Sequence, residues 1–242
     1  MGILCVIPSR IASTRLPRKP LLLIQGKPMI QWVYENASRC RMLDELVVAT
    51  DSDEIAAVVR DFGGNVCLTD PELPTGSDRV ATVARDYPEH DVVINLQGDE
   101  PFIRPRMLEQ LVVPFVQENP PLMTTVAYPF LNAEEFADPG VVKVITDTRG
   151  DAIYFSRAQI PYFREQVNVP VYHHMGLYAF RREFLLTYTT LEPTPLSLAE
   201  ALEQLRAMEH GYKIRVCLTT ERTLEINTPE EYEAAQHFQY VE

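Results

Sequence analysis

The sequence predicts an α/β fold, a sheet flanked by helices with a smaller strand-rich part in its second half. Three observations predict it. Up to about residue 100, short β-branched runs alternate with helical apolar patterns. Beyond about residue 120, strand patterns predominate. The polar, charged loops follow directly on apolar runs, where open α/β sheets carry their ligands.

Strand one is Ile3 to Pro8. A polar loop leads to a helix over about Pro28 to Cys40, with proline suited to the first turn and Met29, Ile30, Val33 and Ala37 on one face. Strand two is Glu45 to Thr50; the next helix carries Ile55, Val58, Val59 and Phe62 and stops at Gly63-Gly64. Strand three is Val66 to Thr69. A third helix starts near Ser77 as N-cap, with Val80, Val83 and Ala84 inward. Strand four, Asp91 to Leu96, runs into Gln97-Gly98-Asp99-Glu100-Pro101.

The second half predicts strands at Met123 to Tyr128, Val141 to Thr146, Ile153 to Phe155 and Val171 to Phe180. One helix spans about Leu198 to His210, with Ser197 and Glu200 as a capping box and Gly211 at its end. Lys213 to Thr219 is a last strand, and Thr228-Pro229-Glu230-Glu231 opens a final helix.

At 242 residues with 46% apolar and 23% charged residues, the chain can bury a sizeable core without metal or disulfide staples. Its net charge of -12 argues against a duplex nucleic acid or an anionic membrane as partner. Cys5, Cys67 and Cys217 sit in apolar runs and read as core residues of a reducing compartment; Cys40 stands apart, and no CxxC pair occurs. The apolar amino terminus stops after eight residues and lacks a signal-peptide cleavage site. These features point to the cytoplasm.

Three clusters carry chemistry. The loop Pro8-Ser9-Arg10-Ile11-Ala12-Ser13-Thr14-Arg15-Leu16-Pro17-Arg18-Lys19-Pro20 gathers Arg10, Arg15, Arg18 and Lys19 beyond strand one. It reads as an anion trap, with small residues letting backbone amides approach phosphate, or as a solvated basic loop. It is not a Walker A loop. Asp99, after the apolar Val92-Val93-Ile94, is placed either to hold Mg²⁺ against phosphates or to close a turn. Thr75-Gly76-Ser77-Asp78-Arg79 offers free N–H groups at a helix start, with ordinary capping by Ser77 as the other reading.

Together and in this order, the clusters resemble those of the nucleotidyltransferases that activate acidic sugars, and more narrowly the 3-deoxy-manno-octulosonate (KDO) cytidylyltransferase, or CMP-KDO synthetase, family. Matching stretches include Ile7-Pro8-Ser9-Arg10, Ala12-Ser13-Thr14-Arg15-Leu16-Pro17, Gly26-Lys27-Pro28-Met29-Ile30-Gln31, Val48-Ala49-Thr50-Asp51, Gly76-Ser77-Asp78-Arg79 and Gln97-Gly98-Asp99-Glu100-Pro101. Tyr154-Phe155-Ser156-Arg157, His174-Met175-Gly176-Leu177-Tyr178 and Leu202-Glu203-Gln204-Leu205-Arg206 extend the match through the second half and separate it from the sialic-acid-activating relatives.

The resemblance implies a three-layer Rossmann-like nucleotidyltransferase fold of the nucleotide-diphospho-sugar transferase type, with a mixed, mostly parallel central sheet. About 1–120 and 200–242 would form the nucleotide-binding core, and about 121–199 a sugar-binding and dimerisation subdomain. It implies CTP and a sugar acid as substrates, Mg²⁺ as cofactor and a homodimer. Lys19, Arg15 and Asp99 would be catalytic. Pro8, Ser9, Arg10, Ser13, Arg15, Lys19, Gly76, Ser77 and Arg79 would bind the nucleotide, and Gln97, Arg157, His174, Tyr178, Glu203 and Gln204 the sugar, with Arg157 facing its carboxylate. Outside the resemblance, Arg157 reads as a surface ion pair and His174 as a satisfied half-buried histidine. Glu203 and Gln204 then read as the solvated flank of the Leu198, Leu202, Leu205 stripe.

Asp99 and Asn227 would hold the metal. The family pattern has aspartate where this chain has Asn227, so a carbonyl oxygen replaces a charged ligand and weaker metal affinity is expected. Glu225 is a substitute ligand if its segment stays extended. Arg18 replaces a glycine of the pattern, adding to triphosphate binding or projecting into solvent, and Ser77 replaces a threonine. A related sugar acid (amino-substituted KDO or sialic acid) and a non-catalytic nucleotide-binding descendant are the competing readings.

Overall fold

A computed structural model describes residues 1–12, 16–165 and 167–240. The amino-terminal apolar run forms β1 (Gly2–Ser9), and its Leu4, Cys5, Val6 and Ile7 are wholly shielded from solvent. A short 3-10 turn at Lys19–Leu21 precedes a hairpin of β2 (Leu23–Ile24) and β3 (Lys27–Pro28). Its strands are too short to show an alternating pattern. The turn makes it: Gln25 (φ 51°) and Gly26 (φ 81°) both have the positive φ that matches strand twist.

Next come α1 (Met29–Ser38), β4 (Glu45–Thr50), α2 (Asp53–Asp61), β5 (Val66–Leu68), α3 (Gly76–Arg85) and β6 (His90–Asn95). α2 starts at Ser52, whose side chain accepts from Ile55 N–H, and buries Ile55, Ala56 and Val59. α3 starts two residues before the expected Ser77. Thr75 is its N-cap in a reciprocal box with Asp78, and Ser77 lies buried inside the helix. Asp78 at the third helical position can reach back to the Thr75 N–H, which Ser77 has no partner to do.

The parallel order β6-β1-β4-β5 puts the carboxyl ends of these strands on one edge. Arg10, Asp51 and Gln97 therefore leave the sheet on the same side. Cys5 and Cys40 are buried as small apolar residues, whereas Cys67, on the edge strand β5, is only half-buried; all four cysteines are free. α4 (Pro105–Val112) follows.

The chain divides into two units, 1–109 with 222–242, and 110–221. The second contains β7 (Met123–Pro129), α5 (Ala133–Ala137), β8 (Lys143–Thr146), β9 (Ala152–Ser156), β10 (Val171–Arg181), α6 (Arg182–Tyr188), α7 (Pro195–Glu200), α8 (Leu205–Glu209) and β11 (Arg215–Leu218). β11 runs parallel to β7, while β7-β10, β10-β8 and β8-β9 are antiparallel. Residues 200–221, grouped by sequence with the nucleotide-binding core, belong to this unit.

The single helix expected over Leu198 to His210 is two helices. α7 begins at Thr194-Pro195, whose Thr194 N–H bonds Ser197 Oγ at 2.9 Å, and it ends at Ala201 in the left-handed region (φ 51°). Glu200 does not cap. Its carboxylate accepts from Ser156 Oγ (2.6 Å) and Arg157 N–H (2.9 Å), which ties α7 to the end of β9. Leu198 consequently lies 70% exposed rather than on a shared stripe with Leu202 and Leu205.

The chain re-enters the first unit and ends in α9 (Pro229–His237), capped by the Thr228–Glu231 box with Pro229 in its first turn. A satellite core of Leu16, Ile24, Met29, Phe102, Ile226 and Ala235 holds it, with Phe238 stacked on Phe102 at 4.4 Å. No helix among the described residues is long and apolar enough to cross a membrane.

Candidate active site

At the carboxyl edge of β1 and β6, the first unit holds a cavity of about 360 Å³. Pro8, Ser9, Arg10 and Ala12 line it from β1 and its loop, and Lys19 and Pro20 from the 3-10 turn. Gly76 comes from the start of α3, Gln97, Gly98 and Asp99 from the loop after β6, and Asn227 from the segment before α9. The backbones pack closely here. A Cβ on Gly98 would stand 3.2 Å from the Pro8 carbonyl oxygen, a tight approach that a larger residue makes only if the loop gives by a few tenths of an ångström.

Lys19 is the centre of the polar arrangement. Its ammonium donates to Asp99 Oδ2 (2.7 Å), Asn227 Oδ1 (3.1 Å) and the Ile226 carbonyl (2.9 Å). Buried Ile226 anchors this segment, and its N–H bonds the Asp99 carbonyl at 3.0 Å. Two segments far apart in sequence thus present three oxygens to a single cation, one from Asp99 and two from Ile226 and Asn227. Among the described residues no group of three or more His, Cys, Asp or Glu side chains forms a metal cage. The Asp99–Asn227 pair nevertheless fits Mg²⁺, which takes one or two protein oxygens and completes its shell with phosphate and water.

Carboxylates crowd the same place. Buried Glu100 accepts from Thr223 Oγ1, and burial followed by the nearby Glu225 charge holds its carboxyl well above the usual range. Glu225 keeps part of its surface in water, but loss of water around its carboxyl, then the Asp99 charge, push it up to about 7. Asn227 Nδ2 donates to Glu225 Oε1, which turns the amide oxygen of Asn227 toward Lys19.

The other cations near the cavity differ. Arg10 donates to the Leu73 carbonyl at 2.7 Å. Arg18 turns outward and pairs with Glu54, the solvent-facing alternative of the two the sequence left open. Arg79 does not line the cavity: its side chain is fully buried, paired with Asp51 at 3.1 Å and donating to Thr69 Oγ1. Ser77 is also buried, as the acceptor of a long 3.5 Å contact from Asn95, which in turn accepts from Gln97 at 3.3 Å. Ser9 Oγ is buried without a partner among the described residues. Ser13 and Arg15 lie outside the described residues.

Arg157, His174, Tyr178, Glu203 and Gln204 lie in the second unit, whereas Gln97 lines the cavity of the first. Arg157 donates through Nε to the Glu200 carbonyl (2.9 Å) and through Nη1 to the Pro139 carbonyl (3.2 Å). His174 is buried at 2.9 Å from Thr125 Oγ1, and burial, then His173, lower its pKa to about 3. Half-buried Tyr178 is raised by burial and by Tyr188 and Glu203. Glu203 pairs with Arg206 at 2.7 Å, and Arg206 lies over the Tyr188 ring at 4.2 Å. Gln204, read from sequence as a possible solvated flank, is 3% exposed, and its Nε2 has no partner among the described residues.

Sequence reasoning missed Lys143 and Thr125, and gave no role to Arg206, which it placed only within the matching stretch Leu202-Glu203-Gln204-Leu205-Arg206. Lys143 is fully buried, and its ammonium donates to the carbonyls of Asp138 (2.6 Å), Val141 (2.7 Å) and Arg157 (3.0 Å), bracing the backbone at Arg157. A lone cation in the apolar run Val141-Val142-Lys143-Val144-Ile145 was its only signal. Thr125 had none, because a threonine in a strand is unremarkable.

A family model described as Cytidylyltransferase matches residues 4–214. The 3-deoxy-manno-octulosonate cytidylyltransferase of Acaryochloris marina is 54% identical over 98% of this chain and 97% of its own length. That of Synechococcus elongatus is 47% identical over 96% of each. The solved structure of a CMP:2-keto-3-deoxy-manno-octonic acid synthetase complexed with CTP superposes with a TM-score of 0.93 at 41% identity, covering 98% of both chains.

Proposed function

The chain belongs to the 3-deoxy-manno-octulosonate cytidylyltransferase family, and on that premise we propose that it activates KDO with CTP, giving CMP-KDO and pyrophosphate. The anomeric hydroxyl oxygen of the sugar attacks the α-phosphorus in line. The bond from that phosphorus to the bridging oxygen breaks, pyrophosphate leaves with its electron pair, and the hydroxyl proton is released. Little covalent chemistry is asked of the protein, so positioning and charge carry the rate.

The observation that carries this reading is the convergence of Lys19, Asp99 and Asn227 in a cavity rimmed by Arg10 and Gly76. Lys19 has its three protons on protein oxygens. On triphosphate binding it can exchange them for phosphate oxygens, and Asp99 and Asn227 would hold Mg²⁺, which would supply positive charge there. Arg10 and Arg15 add to the anion site, and the start of α3 supports the nucleotide through first-turn N–H groups. Arg79 serves by bracing Asp51 and Thr69 beneath that helix. In the second unit Arg157, His174, Tyr178, Glu203 and Gln204 receive the sugar acid. The reading includes a cytoplasmic homodimer supplying lipopolysaccharide precursors. Exposed Leu131, Tyr162 and Val167 support pairing through the second unit.

The test is pyrophosphate release from CTP and KDO across a Mg²⁺ titration, with Asn227→Asp beside the wild type. The variant restores a charged ligand and removes the amide donor to Glu225, so the cluster demands a cation more strongly. Half-saturation is expected at a Mg²⁺ concentration on the order of tenfold lower, about 1.4 kcal/mol. Absence of KDO-dependent release at any Mg²⁺ concentration would reject the reaction, and a panel of sugar acids would then identify the acceptor.

A further inference from the structure

Thr125 Oγ1, buried on β7, lies within hydrogen-bond distance of His174 Nε2 (2.9 Å), the Leu177 carbonyl (2.8 Å) and the Met175 carbonyl (3.3 Å). The register of β10 against β7 explains the crowding. Met175 faces Val126 and Tyr178 faces Thr125, so Gly176 and Leu177 bulge out between them. The bulge turns two carbonyls of β10 onto one side chain of β7.

A hydroxyl has one proton to give, and both carbonyls can only accept. With Thr125 Oγ1 at 2.8 Å from the Leu177 oxygen, its hydroxyl must donate its proton to a carbonyl, because two bare oxygens at that distance repel. The contact with His174 then requires its proton to come from Nε2. A neutral imidazole carries one N–H, so Nδ1 is left as a lone-pair acceptor. The ring's depressed pKa, caused by burial and His173, keeps it in that neutral form.

Resting on the proposed function, in which the second unit receives the sugar acid, we propose that Thr125 is a positioning residue that locks His174 in the Nε2–H tautomer, so that Nδ1 accepts a hydrogen bond from a sugar hydroxyl. This makes His174 selective. A bare lone pair welcomes a hydroxyl proton and repels a carboxylate oxygen, which leaves the acid group of the substrate to a cation such as Arg157. A site built to hydrogen-bond a hydroxyl discriminates strongly against an analogue that lacks it.

The experiment is ¹⁵N NMR of the histidine-labelled protein, with His174→Gln used to assign the resonance, beside steady-state kinetics of Thr125→Val and Thr125→Ser. The wild-type ring is expected to show protonated Nε2 and unprotonated Nδ1 from pH 6 to 8, with the Nδ1 resonance moving when KDO is added. Thr125→Val keeps the buried shape but loses the oxygen. It is expected to lose the single tautomer and raise KM for KDO on the order of tenfold, with KM for CTP and the thermal midpoint serving as controls of folding. Thr125→Ser is expected to recover both tautomer and KM. An Nδ1–H ring in the wild type, an Nδ1 resonance unmoved by KDO that is nonetheless turned over, or an unchanged tautomer and KM in Thr125→Val would each overturn the inference. An Nε2–H ring in a protein that does not turn over KDO supports the tautomer lock and removes the sugar assignment instead.

Discussion

Arg18 shows how a single residue can depart from a pattern for a reason that lies in the backbone. It has φ 56°, the left-handed region where a side chain is strained and glycine is not. Glycine in the resembling family is thereby explained, and so is the fate of the arginine here: the chain turns at residue 18, Lys19 faces the cavity and Arg18 faces Glu54. Arg18→Gly is therefore expected to stabilise the protein by about 0.5–1 kcal/mol in urea denaturation, since the exposed ion pair returns little. KM for CTP is expected to stay within about twofold, because the lost cation points away from the cavity. The sequence identified the residue as exceptional. Its dihedral angle, which no side-chain pattern reveals, decides what the exception does.

At the scale of elements, α3 is the informative one. Its apolar positions Val80, Val83 and Ala84 were legible from helical spacing and are all fully buried. Its start was not, because Thr75 and Ser77 are both acceptable caps and only the partner three residues on, Asp78, decides between them. The two-residue difference makes Gly76, rather than Asp78, the first helical residue, beside Pro8 and the cavity. Thr75→Ala removes half of the capping box and is expected to cost about 1 kcal/mol, measured by thermal or chemical unfolding. KM for CTP should rise with it while KM for KDO holds, because the frayed turn belongs to the nucleotide side. The break between α7 and α8 teaches the same lesson. Leucine spacing predicted continuity, but Glu200 bonds to β9 and Ala201 leaves the helical region, a tertiary contact overriding local propensity.

For the whole molecule, the buried and neutral His174 links folding to pH. Its folded pKa of about 3 lies below the ordinary value of 6.5, so between those values the unfolded chain binds the extra proton. Stability from this group is complete above about pH 6.5 and is lost as pH falls toward 3, with a slope of at most about 1.4 kcal/mol per pH unit. Thermal midpoints measured from pH 7 to 4 should fall for the wild type, and His174→Gln should flatten the part of that fall due to this residue. A parallel profile in the variant would show that His174 is not the group being titrated. The acidic excess of -12 adds a general background, on which a localised cluster of cations was still visible in the sequence.

By itself the sequence determined the α/β class, nearly every strand, the family and the three clusters around Lys19, Asp99 and Gly76, because apolar periodicity and short contiguous motifs are local properties of a chain. The tertiary structure alone decided which charges serve each other. Arg79 is consumed by Asp51, Lys19 is shared between Asp99 and Asn227, and Lys143 is spent on three carbonyls. These partners are 28, 80 and 208 residues from their cations in the first unit. Whether a buried charge binds substrate or holds the fold depends on which acceptors the chain brings within about 3 Å of it, and linear order does not carry that information.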